Sequence, residues 1–227
     1  MKAMILAAGR GERMRPLTDA TPKPLLKAAG KTLIEYCLKN LATAGFNDIV
    51  INVAYRGRQI MDYCGNGSRW GVSIHYSDEG ETALETAGGI AKALPLLGDA
   101  PFLVVNADIL FDYPLAALRD KTVDLAHLVM IDNPPHHPRG DFCLHASGLL
   151  SEQGEEKLTF SGIGIYRPAL FADVKADQPL KLRPVLNQAM QQGKVSGERF
   201  DGMWLDIGTP ERLLEVSADI LHRGFAQ

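Results

Sequence analysis

The stretch Leu6-Ala-Ala-Gly-Arg-Gly-Glu-Arg-Met-Arg-Pro-Leu-Thr-Asp-Ala-Thr-Pro-Lys-Pro-Leu25 decides how this chain is read. An apolar strand over residues 4–7 runs straight into a glycine-rich turn and then into a group of cations. Between Arg10 and Lys31 stand six basic residues (Arg10, Arg13, Arg15, Lys23, Lys27, Lys31) against Glu12 and Asp19, while the whole chain carries a net charge of −3. A local cationic loop on an acidic body suits one compact anion rather than a polyanion or a membrane surface. Gly9 and Gly11 let backbone N–H groups approach phosphate oxygens closely. Arg13 offers a planar two-pronged donor and Lys23 a point charge. In open α/β sheets, ligands bind where strands exit, which is where this loop stands.

The rest of the first half supports that sheet. Apolar residues at helical spacing (Leu33, Ile34, Cys37, Leu38, Leu41) predict a helix over 32–44, stopped by Gly45. Strands are expected at 48–53, 72–76 and 102–105, with helices at 56–64 and 87–97. Such alternation implies a parallel sheet with right-handed crossovers. The second half is less regular. Strands are expected at 124–131, 141–144, 157–166 and 203–205. Helices are expected at 180–192 and 210–221, the last capped by Thr209 with Pro210 at its first position. The 227 residues are read as a single domain, 1–227, with a nucleotide-binding part over about 1–110 and a sugar-binding part over about 111–227.

Bulk properties exclude other classes. Apolar residues make up 46% and charged residues 22%, as in ordinary globular chains. No run approaches the roughly 20 apolar residues of a membrane span, and the N-terminus does not read as a secretory signal. Cys37, Cys64 and Cys143 are scattered, which argues for a reducing cytoplasm with no disulfide frame and no structural zinc. The glycine turn is not a dinucleotide fingerprint: Met14 occupies the third glycine position, and Ile51-Asn-Val-Ala54 carries no acid for a ribose. It is not a Walker A loop either.

Asp108 and Asp206 each follow an apolar strand. Alone, each reads as a cap or turn residue; together beside a triphosphate cradle they suggest a Mg²⁺ site, since magnesium takes one or two carboxylates plus phosphate oxygens. His136 and His137, adjacent in a proline-rich loop, do not read as a ligand pair.

Four separated motifs then form one pattern. Leu6 to Arg13 with Pro16-Leu-Thr18 and Pro22-Lys-Pro-Leu25, the turn Leu84-Glu-Thr-Ala-Gly-Gly89, Asp108, and Trp204-Leu-Asp-Ile-Gly-Thr209 together resemble the sugar-1-phosphate nucleotidyltransferases. The resemblance covers nearly the whole chain. It implies an α/β fold, a three-layer α/β/α sandwich around a mostly parallel, Rossmann-like mixed sheet. It also implies a Mg²⁺-assisted in-line displacement, in which a sugar phosphate attacks the α-phosphorus of a nucleotide and pyrophosphate leaves. By the same resemblance, Ala8, Gly9, Gly11, Glu12, Arg13 and Lys23 hold the triphosphate, and Arg13 and Lys23 also act in catalysis. Gly80 and Glu85 meet the base, and Asp108 and Asp206 hold Mg²⁺. Relatives often read Leu-Gly-Thr where this chain has Leu84-Glu85-Thr86.

Within the family the chain is most similar to the short bacterial N-acetylmuramate α-1-phosphate uridylyltransferases of cell-wall recycling. The residues concerned are the segment Asn133 to Leu144 and Thr159-Phe-Ser-Gly-Ile163. This similarity implies UTP and a sugar 1-phosphate as partners, neither nucleic acid nor membrane, and a monomer or small homo-oligomer. Asn106, Asp141 and Lys181 are implied as sugar-phosphate contacts; Asp141 is equally readable as a turn residue and Lys181 as a solvated helix lysine. Three alternatives stay open: a glucose- or mannose-1-phosphate nucleotidyltransferase using UTP, dTTP or GTP, a non-catalytic sugar-nucleotide sensor, and a dinucleotide-dependent oxidoreductase.

Overall fold

The structure is a computed structural model and describes residues 1–223. The apolar first strand, β1 (Ala3–Leu6), becomes an interior strand of a seven-stranded sheet. The hairpin β2 (Lys27–Ala28) and β3 (Lys31–Thr32) leads into helix α1 (Leu33–Thr43). Two further strand–helix pairs follow: β4 (Asp48–Val53) with α2 (Gly57–Cys64), then β5 (Ser73–Asp78) with α3 (Glu85–Leu97). After β6 (Phe102–Asn106) come β7 (Ile109–Phe111), β8 (Ala126–Ile131), the short pair β9 (Cys143–Leu144) and β10 (Leu150–Ser151), and the long β11 (Thr159–Tyr166). Helix α4 (Leu182–Gln191), strands β12 (Val195–Arg199) and β13 (Trp204–Asp206), and helix α5 (Pro210–Arg223) complete the described chain.

The sheet order is β12-β8-β11-β6-β1-β4-β5. Neighbours are parallel except at β11, which runs against both β6 and β8. The sheet is therefore mixed and mostly parallel, as expected. Strands from the second half, β8, β11 and β12, extend the same sheet.

Side chains alternate across each strand. Ile5, Ile51 and Val105 point to one face and pack with Ile34, Leu38 and Leu41 of α1 and Ile60 of α2. Met4, Val50 and Val104 point to the other and pack with Ile90 of α3 and Leu186 of α4. Helices cover both faces, giving three layers. Each large aliphatic side chain so buried contributes about 1.5–3 kcal/mol. A third, smaller core joins Met14, Tyr36, Leu110 and Ile207 to Leu213, Val216 and Ile220 of α5. Cys37, Cys64 and Cys143 are free and buried. No helix among the described residues is long and apolar enough to cross a membrane.

Five strands escape the sequence reading: the two-residue β2, β3 and β10, which are too short to show a period, and β7 and β12. β12 carries Gly197 mid-strand and several polar residues, so it lacks a strand pattern. Its glycine is required by packing: a Cβ there would lie 2.8 Å from Leu150 Cδ1. β7 has only three residues, yet it pairs antiparallel with β13 and so shapes the site.

Candidate active site

The floor of the site is a row of three residues on adjacent parallel strands. Leu6 is in register with Asn52 on one side and Asn106 on the other, at the carboxyl ends of β1, β4 and β6. All three line a cleft of about 340 Å³ together with Ala7 to Arg10, Lys23, Glu79, Glu85, Thr86 and Asp108. Asn52, only 3% exposed, orders the rim. It accepts a 2.8 Å hydrogen bond from the Ala7 N–H and donates one of 2.7 Å to Glu79 Oε1. Glu79 Oε2 accepts from the Leu84 N–H at 2.6 Å. Burial pushes the Glu79 carboxyl above its ordinary range, against the pull of those two hydrogen bonds and of Lys92. One buried amide thus ties the first turn to the loop before α3.

Gly11 adopts a left-handed conformation, with φ 69°. Its carbonyl accepts from the Thr18 hydroxyl at 2.9 Å, and a Cβ on it would lie 3.0 Å from Lys23 Cβ. The loop is folded tightly onto the lysine, and only glycine combines that φ with that approach. Gly9, Gly11, Glu12, Arg13, Lys23, Glu85, Asp108 and Gly208 border a second cavity of about 510 Å³. It shares Gly9, Lys23, Glu85 and Asp108 with the first, so the two form one groove. Glu85 also has a positive φ, 58°. L-residues avoid that region, so the site holds local backbone strain there.

Asp108 and Asp206 converge through the pairing that sequence reasoning missed. Asp206 on β13 is in register with Ile109 on β7, and the Ile207 N–H donates to the Asp108 carbonyl at 2.9 Å. Both carboxylates have cationic partners: Lys23 ion-pairs with Asp108, and Arg212 with Asp206. His136 Nε2 lies 3.0 Å from Asp206 Oδ1. A Cβ built on Gly208 would stand 3.3 Å from Arg212 Nη1, 3.4 Å from Asp206 Oδ2 and 3.5 Å from Arg13 Nη2. Arg13, Arg212 and Asp206 therefore crowd one small residue. Two aspartates on adjoining backbone segments, beside an open cationic cleft, are a donor set that suits Mg²⁺, whose remaining positions go to water and phosphate. Among the described residues no three His, Cys, Asp or Glu side chains gather into a closed metal cage.

Towards α4 the groove continues into a cavity of about 290 Å³, bordered by Glu85, Thr86, Asn106, Gly162, Lys181 and Arg183. Gly162, with φ 84°, sits at the irregularity of β11. A Cβ on it would fall 2.5 Å from Asn106 Nδ2, so the missing side chain leaves room for the asparagine. Asp141 does not border this cavity. Its Oδ2 accepts from the Phe160 N–H at 2.9 Å, and its Oδ1 takes an ion pair from Arg183.

The structure thus brings Ala8, Gly9, Gly11, Glu12, Arg13, Lys23, Glu85 and Asp108 to one groove, with Asp206 beside Gly208 at its edge. Asn106 and Lys181 border its far end. Gly80 is exposed and borders none of the three cavities; its N–H is taken by Asp78 Oδ1 at 2.8 Å. Asn52, Glu79, Arg183 and Arg212 were not singled out from sequence, and His136 was weighed there only as a metal ligand, not as the partner of Asp206 that it is. Only Asn52 gave a usable signal, as a polar residue inside an apolar strand.

A nucleotidyl transferase family model matches residues 2–223. The chain is 55% identical to an N-acetylmuramate alpha-1-phosphate uridylyltransferase of Neisseria meningitidis serogroup B, over 96% of this chain and 97% of that one. It is 35% identical to a protein of the same description from Caulobacter vibrioides, over 95% of each. A mannose-1-phosphate guanyltransferase of Aspergillus oryzae is 30% identical over 94% of this chain and 62% of its own length. A solved structure of a putative glucose-1-phosphate thymidylyltransferase from Bacillus anthracis superposes with a TM-score of 0.85 at 22% identity, covering 100% of this chain and 97% of that one, and so shares the fold. With a family model and full-length relatives in agreement, the chain belongs to the nucleotidyl transferase family.

Proposed function

We propose that the protein transfers UMP from UTP to N-acetylmuramate α-1-phosphate, giving UDP-N-acetylmuramate and pyrophosphate, with Mg²⁺, as a cytoplasmic step of peptidoglycan recycling. The observation that carries this reading is the 55% identity to the Neisseria protein across nearly the whole of both chains. The groove is compatible with it: a cationic pocket, a deep cleft and a second cavity lie end to end at the strand exits.

No side-chain nucleophile is needed, because a sugar phosphate oxygen is already anionic at neutral pH. The bond from that oxygen to the α-phosphorus forms as the bond to pyrophosphate breaks. The protein holds two mutually repelling anions in line, which contributes roughly 7–11 kcal/mol. Gly9 and Gly11 present backbone N–H groups to the triphosphate. Arg13 donates to the oxygens that gain charge, and Lys23 neutralises them from beneath. Asp108 and Asp206 would hold Mg²⁺, which supplies charge neutralisation at the phosphates. Lys23, ion-paired with Asp108 in this structure, then has donors to turn towards substrate. Asn106 meets the sugar phosphate, while Asp141 acts through Arg183.

The test is pyrophosphate release with Mg²⁺ across UTP, dTTP, GTP, CTP and ATP, each with N-acetylmuramate, N-acetylglucosamine, glucose and mannose 1-phosphates. UTP with N-acetylmuramate 1-phosphate should give the highest kcat/KM. A preference for GTP with mannose 1-phosphate would favour the guanylyltransferase reading instead. Tight nucleotide binding without pyrophosphate release would indicate a sensor.

A further inference from the structure

The cavity at the α4 end carries more positive charge than one sugar phosphate requires. Lys181 and Arg183 both border it, and Leu182 between them does too. These are the residue before α4 and its first two positions, and no side chain caps that helix terminus. The terminus adds a partial positive charge of its own. A sugar 1-phosphate with neutral ring substituents presents one anion to this end of the groove.

Arg183 is built for a directed contact. Its Nη2 is held by Asp141 Oδ1, and its guanidinium lies 5.1 Å from the centre of the Phe142 ring. Asp141 is itself fixed by the Phe160 N–H. Among the described residues the guanidinium makes no other hydrogen bond, so one N–H of Nη2 stays free and forms a fork with the neighbouring donor of Nε or Nη1. A guanidinium clamped on one edge and stacked on a ring presents its remaining fork in a fixed direction, the geometry that a carboxylate accepts bidentately. The acidic residue in that cavity lining is Glu85, which also lines the nucleotide cleft.

We propose that Arg183 is a specificity-determining residue that binds a second anionic group on the sugar, a carboxylate, while the phosphate lies nearer Asn106. This deepens the proposed function and rests on it: the lactyl ether of N-acetylmuramate carries such a carboxylate, and N-acetylglucosamine is the same sugar without it. Asp141 is then a positioning residue that sets the angle of the fork.

The experiment uses the full chain saturated with Mg²⁺ and a non-hydrolysable UTP analogue. Calorimetry gives Kd for N-acetylmuramate 1-phosphate and for the same compound with its carboxylate converted to a carboxamide. The wild-type protein should bind the acid about 10–100-fold more tightly, the range of a charge-assisted hydrogen-bonded pair. Arg183→Gln should remove that preference by weakening the acid alone, and Arg183→Lys should keep part of it. Thermal melting of each variant reports whether the fold survives; Lys181→Gln serves as the neighbouring-charge control and should weaken both compounds alike or neither. An acid preference that persists in Arg183→Gln, or its absence from the wild-type protein, overturns the proposal. Failure of wild-type protein to bind either muramyl compound, with binding of another sugar phosphate, overturns the proposed substrate instead.

Discussion

Arg13 shows how one side chain can matter to chemistry and not to folding. It is exposed, lines the phosphate end of the groove and belongs to none of the three cores. Arg13→Ala should therefore leave the melting temperature within about 2 °C, since surface substitutions away from special features stay within roughly ±0.5 kcal/mol. Turnover should fall by about 10²–10⁵, the cost of removing a donor to charge that develops in transfer. Full activity in that variant would take Arg13 out of the mechanism. Glu85 presents the opposite balance. Its positive φ costs on the order of 1–3 kcal/mol, and glycine, though entropically disfavoured by about 0.5–1 kcal/mol, adopts that φ freely. Glu85→Gly should thus stabilise the fold by about 1 kcal/mol, or roughly 2–4 °C, and change substrate KM because the side chain borders all three cavities. A melting temperature that stays level or drops would mean the side chain earns its conformation through contacts. At this scale Arg13, Lys23, Asp108 and Asp206 were legible because each sits in a local motif at a strand exit. Arg183 was not, because its meaning comes from Asp141 and Phe142, some forty residues earlier in the chain.

Elements were legible in proportion to how fully the sheet buries them. β1, β4 and β6 are covered on both faces and read as apolar runs. β12 is an edge strand whose pattern is set by neighbours, so its sequence Val195-Ser-Gly-Glu-Arg199 gave no period. What holds β12 to β8 is partly a polar cluster. Buried His127 on β8 places Nδ1 2.8 Å from Ser196 Oγ and Nε2 3.1 Å from Glu198 Oε2, while Lys121 and Tyr113 also bond Glu198. Burial, aided by the Lys121 charge, holds the His127 pKa below its ordinary 6.5. Burial alone would raise Glu198, but hydrogen bonds from Lys121 and Tyr113 and the charges of Lys121 and His127 outweigh it and hold the carboxyl low. The signs agree. An imidazole with a depressed folded pKa charges more readily when unfolded, so stability is lost as pH falls below about 6.5. A carboxylate with a depressed folded pKa gives stability that is present above its unfolded pKa and lost as pH falls through the folded one. Wild-type protein should lose melting temperature between pH 7 and 5.5, from His127, and again below about 4.5, from Glu198. His127→Gln should flatten the first step and keep the second. An unchanged first step in that variant would assign the loss to other groups.

For the molecule as a whole, the site is a seam between spatially distinct cores. The floor and Lys23 side rest on the two sheet faces, while Ile207, next to Asp206, belongs to the small core under α5. Sequence pattern gave the alternating first half and both aspartates. The meeting of those aspartates depends on β7 pairing with β13; β13 is expected one residue off, at 203–205, but the three residues of β7 give no separate strand signal so close behind β6. Because the two carboxylates come from opposite sides of this seam, ligand and metal should bind as a linked pair. UTP with Mg²⁺, at about 100 times the apparent Kd, should stabilise the folded chain by about 2.7 kcal/mol, or roughly 5–10 °C. With UTP and a chelator the shift should be much smaller, since the triphosphate then faces Asp108 and Asp206 without a bridging charge. Asp108→Asn is the informative variant, because it keeps an acceptor for Lys23, which is only 12% exposed and would otherwise be left unpaired. That variant should still melt cooperatively and still respond to UTP alone. It should lose the additional shift that Mg²⁺ confers. If Asp108→Asn retained the full metal-dependent shift, Asp108 would be a partner of Lys23 only, and the metal would have to be held elsewhere on the chain.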